Sequence, residues 1–255
     1  MVKPCPSPYH AGVRALGLAV LFGIGALLGI AVGAVIFFIS LYRGARAVHA
    51  EGVVCRAQLS ARDPVIGPQL AGPALVRLSG AFEGNATTGT DVLGLDIRMQ
   101  RTASDDGRVG DQDLLLGTFE SFTTARRDRA ATNAGDYLAN RYSTVTPWWV
   151  MGTGPAILRL APAQAVAADR APDRIARLDA DLAADRARMV LSVHADGAAT
   201  EVAELRLVER LPADAHALHT SMFRQGRALR PLGLRNGIRA TVYPLSQLAR
   251  SLRGG

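Results

Sequence analysis

The longest apolar stretch runs from Ala15 to Tyr42, 28 positions without one charged residue. A helix needs about 20 residues to cross a hydrocarbon core. A signal-peptide core is only about 7–15 residues long. The pattern therefore predicts one transmembrane helix over 15–42, after a tail at 1–14 and before a domain at 43–255, with Tyr42 as an interfacial anchor. Beyond it the apolar runs shorten. Leu75–Ser79 and Val92–Met99 alternate partially around a Gly/Asn/Thr-rich stretch and read as strands. Leu114–Phe119 and Ile157–Leu160 read as further strands, and Asp136–Tyr142 as a short helix. Ile175, Leu178 and Leu182 recur at helical spacing within Pro172–Arg188. Met189–Ala195 and Val202–Val208 flank Asp196-Gly197, a favoured tight-turn pair, and read as a hairpin. A terminal helix carries Arg239 to Arg250. The pattern alone gives α+β, or all-β with helical additions, in one domain of about 210 residues.

Charge and small residues refine the membrane picture. Gly25, Gly29 and Gly33 recur every four residues, so one helix face is open to close contact and homo-oligomer formation. Glycine enrichment of membrane helices in general accounts for the same spacing. Lys3 and Arg14 precede the run, whereas Arg43, Arg46, Arg56 and Arg62 follow it. That bias places the N-terminus outside and the domain in the cytoplasm. Cys5 and Cys55 then fall on opposite sides, and no intrachain disulfide joins them. The net charge is +7, with a single lysine, Lys3. No basic run with interleaved aromatics accompanies it, so nucleic acid is not an expected partner.

The candidate chemistry lies near the two ends of the domain. In Arg239-Ala-Thr-Val-Tyr243-Pro244, a helix brings Arg239 and Tyr243 one turn apart on one face, with Arg250 about two turns on. A guanidinium beside a phenol favours the phenolate. A phenolate is a hard ligand for ferric iron, and tyrosine is one of the few axial ligands of haem. The other reading of the same residues is an amphipathic terminal helix.

The segment resembles the proximal haem helix of catalases, Arg-x-x-x-Tyr-Pro with a second arginine seven residues after the tyrosine. Four more fragments follow that family's order. Arg46-Ala-Val-His49-Ala-Glu-Gly52 is similar to the segment that carries the distal histidine. Val76-Arg77-Leu78-Ser79 resembles Val-Arg-Phe-Ser. Gly94-Leu-Asp-Ile-Arg98 resembles Gly-x-Ala-x-Lys, and Asp113-Leu114-Leu115 resembles the start of the Asp-Leu-Val-Gly-Asn-Asn loop. The resemblance implies an antiparallel β-barrel with helical insertions and haem b as cofactor. It implies Tyr243 as the axial iron ligand and Arg239 as the residue that keeps it charged. Arg46, Arg77 and Arg250 would hold the propionates, with His49 as distal acid–base and Ser79 as its orienting partner. The family's distal asparagine has no counterpart after Gly117, which favours peroxidase turnover over disproportionation. The expected substrates are hydrogen peroxide and organic or lipid hydroperoxides.

Other motifs are weak. His216 and His219 stand three apart without further metal ligands. Gly152-Thr-Gly154 lacks a third glycine and a following helix. Asn85-Ala-Thr87 matches a glycosylation acceptor, a frequent chance motif. No Gly-x-Ser-x-Gly elbow is present. Trp148 and Trp149 are expected in the core. Two rival functions remain: a haem-binding membrane protein without turnover, and a haem-free hydrolase of phosphodiesterase type on the same fold.

Overall fold

The uncharged run folds into one helix, α1 (Pro8–Arg43), which encloses all 28 of its positions. It is long and apolar enough to cross a membrane, and little of it is buried. The computed structural model describes residues 8–43, 49, 52–81, 90–103, 110–121, 123–165, 173–212, 218, 220–224, 226 and 228–252. Arg46, Asn85, His216 and His219 lie outside the described residues.

Ten antiparallel strands follow: β1 (Gly52–Ala61), β2 (Gly72–Gly80), β3 (Leu93–Met99), β4 (Gln112–Gly117), β5 (Tyr142–Ser143), β6 (Trp148–Val150), β7 (Gly154–Pro162), β8 (Arg188–Ala195), β9 (Ala198–Arg210) and β10 (Leu229–Pro231). Eight close into a barrel in the order β7-β5-β4-β3-β2-β1-β9-β8, sealed by pairing of β8 with β7; β6 and β10 extend β7 at one side. Closure removes the exposed edges that an open sheet presents. Leu59, Leu78, Leu95, Ile97, Leu114, Leu158, Leu160 and Leu191 fill the interior, fully buried, and Cys55 sits among them.

Local chemistry explains the expected elements and the departures. The β8–β9 turn is Asp196-Gly197, both at positive φ (51° and 85°), the geometry of a two-residue hairpin turn. The amphipathic helix is shorter than its pattern: α4 (Arg174–Ala183) is capped by the Asp173 carboxylate and stops before Asp185, whose φ is positive. The expected helix at Asp136–Tyr142 does not form. There the Asp136 carboxylate accepts from the Leu138 and Ala139 amides, and Asn140 bonds to the Asn133 backbone. Side chains that satisfy the backbone locally compete with helix. A small helix, α3 (Ala125–Ala131), was not predicted; it buries no side chain and so carries no apolar period. A one-turn helix, α2 (Gly67–Leu70), caps the β1–β2 connection.

The final helix, α5 (Leu234–Ser251), contains Pro244 and packs along α1. The contact is glycine-mediated. A Cβ on Gly25 would stand 1.9 Å from the Leu234 carbonyl oxygen, and one on Gly237 would stand 2.0 Å from that of Phe22. Gly29 meets Thr241 and Ile238, and Gly33 meets Leu245 and Val242. The small-residue face expected to serve a second copy is therefore covered by α5 of the same chain. A buried hydrogen bond between Ser40 Oγ and Ser246 Oγ (2.8 Å) adds a polar tie.

Candidate functional site

The barrel's outer wall carries an unusual row. The strand register aligns Gly52 with Ser79, Ser79 with Gly94, Gly94 with Gly117, and Gly117 with Ser143. Side chains alternate along a strand, so all five residues share one face. The result is a shelf nearly free of side chains across five strands. The next row on that face holds Val54, Arg77, Asp96 and Leu115.

His49 lies on this shelf. A Cβ at Gly94 would stand 2.7 Å from His49 Cε1 and 3.0 Å from Ser79 Oγ, so only glycine admits the ring there. Three hydrogen bonds hold the residue. Ser79 Oγ lies 3.0 Å from Nδ1, Arg77 Nη2 donates to the His49 carbonyl (2.9 Å), and the His49 amide donates to the Ala81 carbonyl (3.1 Å). His49 also adopts φ 58°, a left-handed conformation uncommon for histidine. Such strain costs on the order of 1–3 kcal/mol and persists where surrounding structure enforces it.

Between this wall and α5 lies a cavity of about 210 Å³. His49, Gly94, Gly117 and Ser143 line it from the barrel side, and Arg239, Val242, Tyr243, Ser246 and Gln247 from α5. Apolar groups complete it, among them Ile36 of α1, Leu115 and Phe119. Val145, the other strained lining residue, has φ 63°. The structure thus brings His49, Ser79, Tyr243 and Arg239 to one site although about 190 residues separate its two sides.

Other expected residues fare differently. Arg77 is buried behind His49, on its carbonyl, and does not line the cavity; in this structure it positions the histidine, whereas the resemblance implied a propionate partner. Arg250 lies on α5 by its backbone, and its side chain is not described. Asp113-Leu114-Leu115, which the resemblance placed at the start of a loop, belongs to β4, as the apolar run Leu114–Phe119 predicts. Thr118 is buried, accepts from the Leu93 amide and from Thr132 Oγ1, and does not line the cavity.

Sequence reasoning missed Asp96, Thr220, Ser246 and Gln247. Ser246 and Gln247 follow Tyr243 at i+3 and i+4, so their place on its face was legible. Asp96 and Thr220, linked by a long hydrogen bond of 3.4 Å, meet only through the fold. The segment bearing Thr220 is fastened by Asp113, which is fully buried and accepts from Arg98, Arg224 and the Ser221 amide. Gln247 Nε2 donates to the Thr220 carbonyl (3.0 Å).

Two solved structures share this architecture. A fungal catalase aligns with a TM-score of 0.58 at 12% identity, over 81% of this chain and 59% of that one. A bacterial catalase aligns with a TM-score of 0.54 at 11% identity, over 81% and 57%. The chain has a catalase-like fold and spans less than two thirds of the length of these catalases. No family model and no curated protein sequence matches it.

The donor set suits the haem that the sequence resemblance implies. A phenol and an imidazole face one cavity from its two sides, and the glycine shelf makes room for the His49 ring over Gly94 and for Phe119 over Gly117. The surrounding apolar side chains suit a porphyrin. Ligand pockets usually measure about 300–1,000 Å³, so full seating of a macrocycle needs the α5 wall to give. Among the described residues, no cluster of three His, Cys, Asp or Glu side chains offers a different metal site.

Proposed function

We propose that this chain is a membrane-attached haem protein that reacts with hydroperoxides, hydrogen peroxide or lipid-derived, as a peroxidase or a weak catalase. The observation that carries the reading is the facing of His49 and Tyr243 across one cavity on a catalase-like barrel. Tyr243 would bind haem b through its phenolate, with Arg239 one turn earlier favouring the charged form. When bound, haem supplies the iron that takes up the oxidising equivalents of the peroxide. The rest falls to the protein. His49 Nδ1 faces Ser79 Oγ, and in this reading Nε2 is the nitrogen that meets the substrate. With Nδ1–H donated to Ser79 Oγ, Nε2 is the basic nitrogen. It accepts the proton of the near peroxide oxygen and returns it to the far one, so that water or an alcohol leaves. Thr118 offers no amide toward the cavity, which favours an external reductant over a second peroxide. The domain lies on the cytoplasmic face in this reading.

The test is the absorption spectrum of the purified protein with two variants. A Soret band is expected in the wild type. Tyr243→Phe should lose the bound haem or change the spectrum to that of another ligand. His49→Ala should keep the band and lose fast reaction with peroxide by about 10²–10⁴-fold. A colourless, stably folded wild type would leave the haem-free hydrolase in its place. A haem protein reacting no faster than His49→Ala would leave the non-catalytic rival.

A further inference from the structure

The outward face of α1 is apolar from Ala15 to Tyr42. Thirteen of the eighteen exposed large hydrophobic side chains among the described residues lie on it, from Val13 to Tyr42. Its inward side is taken up by Gly25, Gly29, Gly33 and Ser40 against α5. At 1.5 Å per residue the run is about 42 Å long, and half of a cylinder about 10 Å wide gives roughly 650 Å² of apolar envelope. That exceeds what soluble monomers usually leave open.

The inward contacts fix how a membrane could meet this face. They begin at Arg14, which pairs with Asp196 of the β8–β9 turn (3.9 Å), and pass Leu18, which accepts from the Gly233 amide. They end at Ser40 on Ser246. The span from Arg14 to Ser40 is about 39 Å, longer than the ~30 Å hydrocarbon core. An α1 standing along the bilayer normal would carry the domain into the hydrocarbon beside it. That neighbouring surface includes Asp196, paired with Arg14, and Arg235 of α5. Immersed charges are costly. Laid flat, α1 buries only its apolar side. The charge fits too: α1 and α5 hold no carboxylate and, besides Arg239 in the cavity, four arginines (Arg14, Arg43, Arg235, Arg250), and cations near an anionic surface are attracted to it.

We infer that α1 lies in the plane of one leaflet of an anionic bilayer and attaches the domain without crossing. Both ends of α1 then stand on the domain's side of the membrane. This replaces the crossing helix expected from length alone, and it depends on neither haem nor turnover.

Spin labels measure it directly. Leu16, Leu27 and Phe38 are exposed and eleven residues apart, so they project from nearly the same side of the helix. Each is changed to cysteine in turn in the full chain carrying Cys5→Ser; Cys55 is buried and needs no change. The labelled proteins are bound to phosphatidylcholine vesicles containing 30% phosphatidylglycerol, and depth is read from collision with oxygen against a water-soluble nickel chelate. The expected result is one shared depth, within a few ångströms, for all three labels. A crossing helix would place Leu27→Cys at the bilayer centre and the other two near opposite interfaces, about 33 Å apart along the axis. That profile would overturn the proposal. Labels that meet no lipid at any position would also overturn it and give the face to a second copy, visible as a dimer by sedimentation.

Discussion

Gly94→Ala tests the site through one methyl group. The added Cβ would stand 2.7 Å from His49 Cε1, 2.9 Å from Nδ1 and 3.0 Å from Ser79 Oγ. Carbon atoms pack best near 3.5–4.0 Å, so the ring must retreat by about 0.8 Å. The obstacle to that retreat is the anchoring of His49 at its amide, its carbonyl and Nδ1. The Nδ1–Ser79 bond starts at 3.0 Å and is the contact that yields, with loss of about 1 kcal/mol. Alanine is compatible with the strand, because Gly94 is not among the glycines at positive φ. Folding stability should therefore change by only about 1 kcal/mol. The rate should change more. A misplacement of about 1 Å at a reacting group costs on the order of 10²-fold, or about 2.7 kcal/mol. Stopped-flow reduction of peroxide by the haem-loaded variant should be slower by about 10–10²-fold, with haem content unchanged. Adding Gly94→Ala to His49→Ala should cost nothing further, since both remove the same function. A haem-loaded Gly94→Ala protein that reacts at the wild-type rate would refute the placement of His49 over the shelf.

Three further outcomes follow from other parts of the molecule. Ser79→Ala should slow the peroxide reaction by about tenfold or more without loss of haem, because the ring loses its tautomer partner; an unchanged rate would remove Ser79 from the positioning role. Burial pushes the Cys55 thiol from its ordinary 9.0 up to about 12 and Tyr137 from 10.0 up to about 12. The unfolded chain ionises first, so stability is intact below pH 9 and then falls toward pH 12 by about 1.4 kcal/mol per pH unit for each group, from about pH 9 for the thiol and from about pH 10 for the phenol. Urea titrations in detergent should show this slope between pH 9 and 10, and Cys55→Ala should abolish it there; a slope that survives the substitution would assign it to another group, and no slope in the wild type would mean that the thiol is accessible. The paired variants Ser40→Cys and Ser246→Cys should cross-link on oxidation, and adding Gly29→Leu, whose Cβ would already stand 2.0 Å from Thr241 Oγ1, should sharply lower the yield. Equal yields would show that the helix contact is not glycine-dependent.

What the sequence determined by itself was mostly local. A 28-residue uncharged run makes a helix wherever it sits, because its backbone must satisfy its own hydrogen bonds once its side chains leave water. Asp196-Gly197 makes a hairpin because both residues tolerate positive φ. Arg239, Tyr243, Ser246 and Gln247 share a face because helical spacing puts them there. β1 was less legible: its alternation of Cys55, Ala57 and Leu59 with Arg56, Gln58 and Ser60 is real but only weakly apolar. The tertiary structure decided the rest. The shelf of Gly52, Ser79, Gly94, Gly117 and Ser143 comes from five strands and exists only in their register, which no local pattern encodes. The same register turned Arg77 toward the His49 carbonyl and brought Asp96 into the cavity. Packing also settled the role of the glycines in α1. Spacing shows that a face is smooth, but what fills it depends on the nearest matching surface, and here that surface is α5 of the same chain, carrying Tyr243.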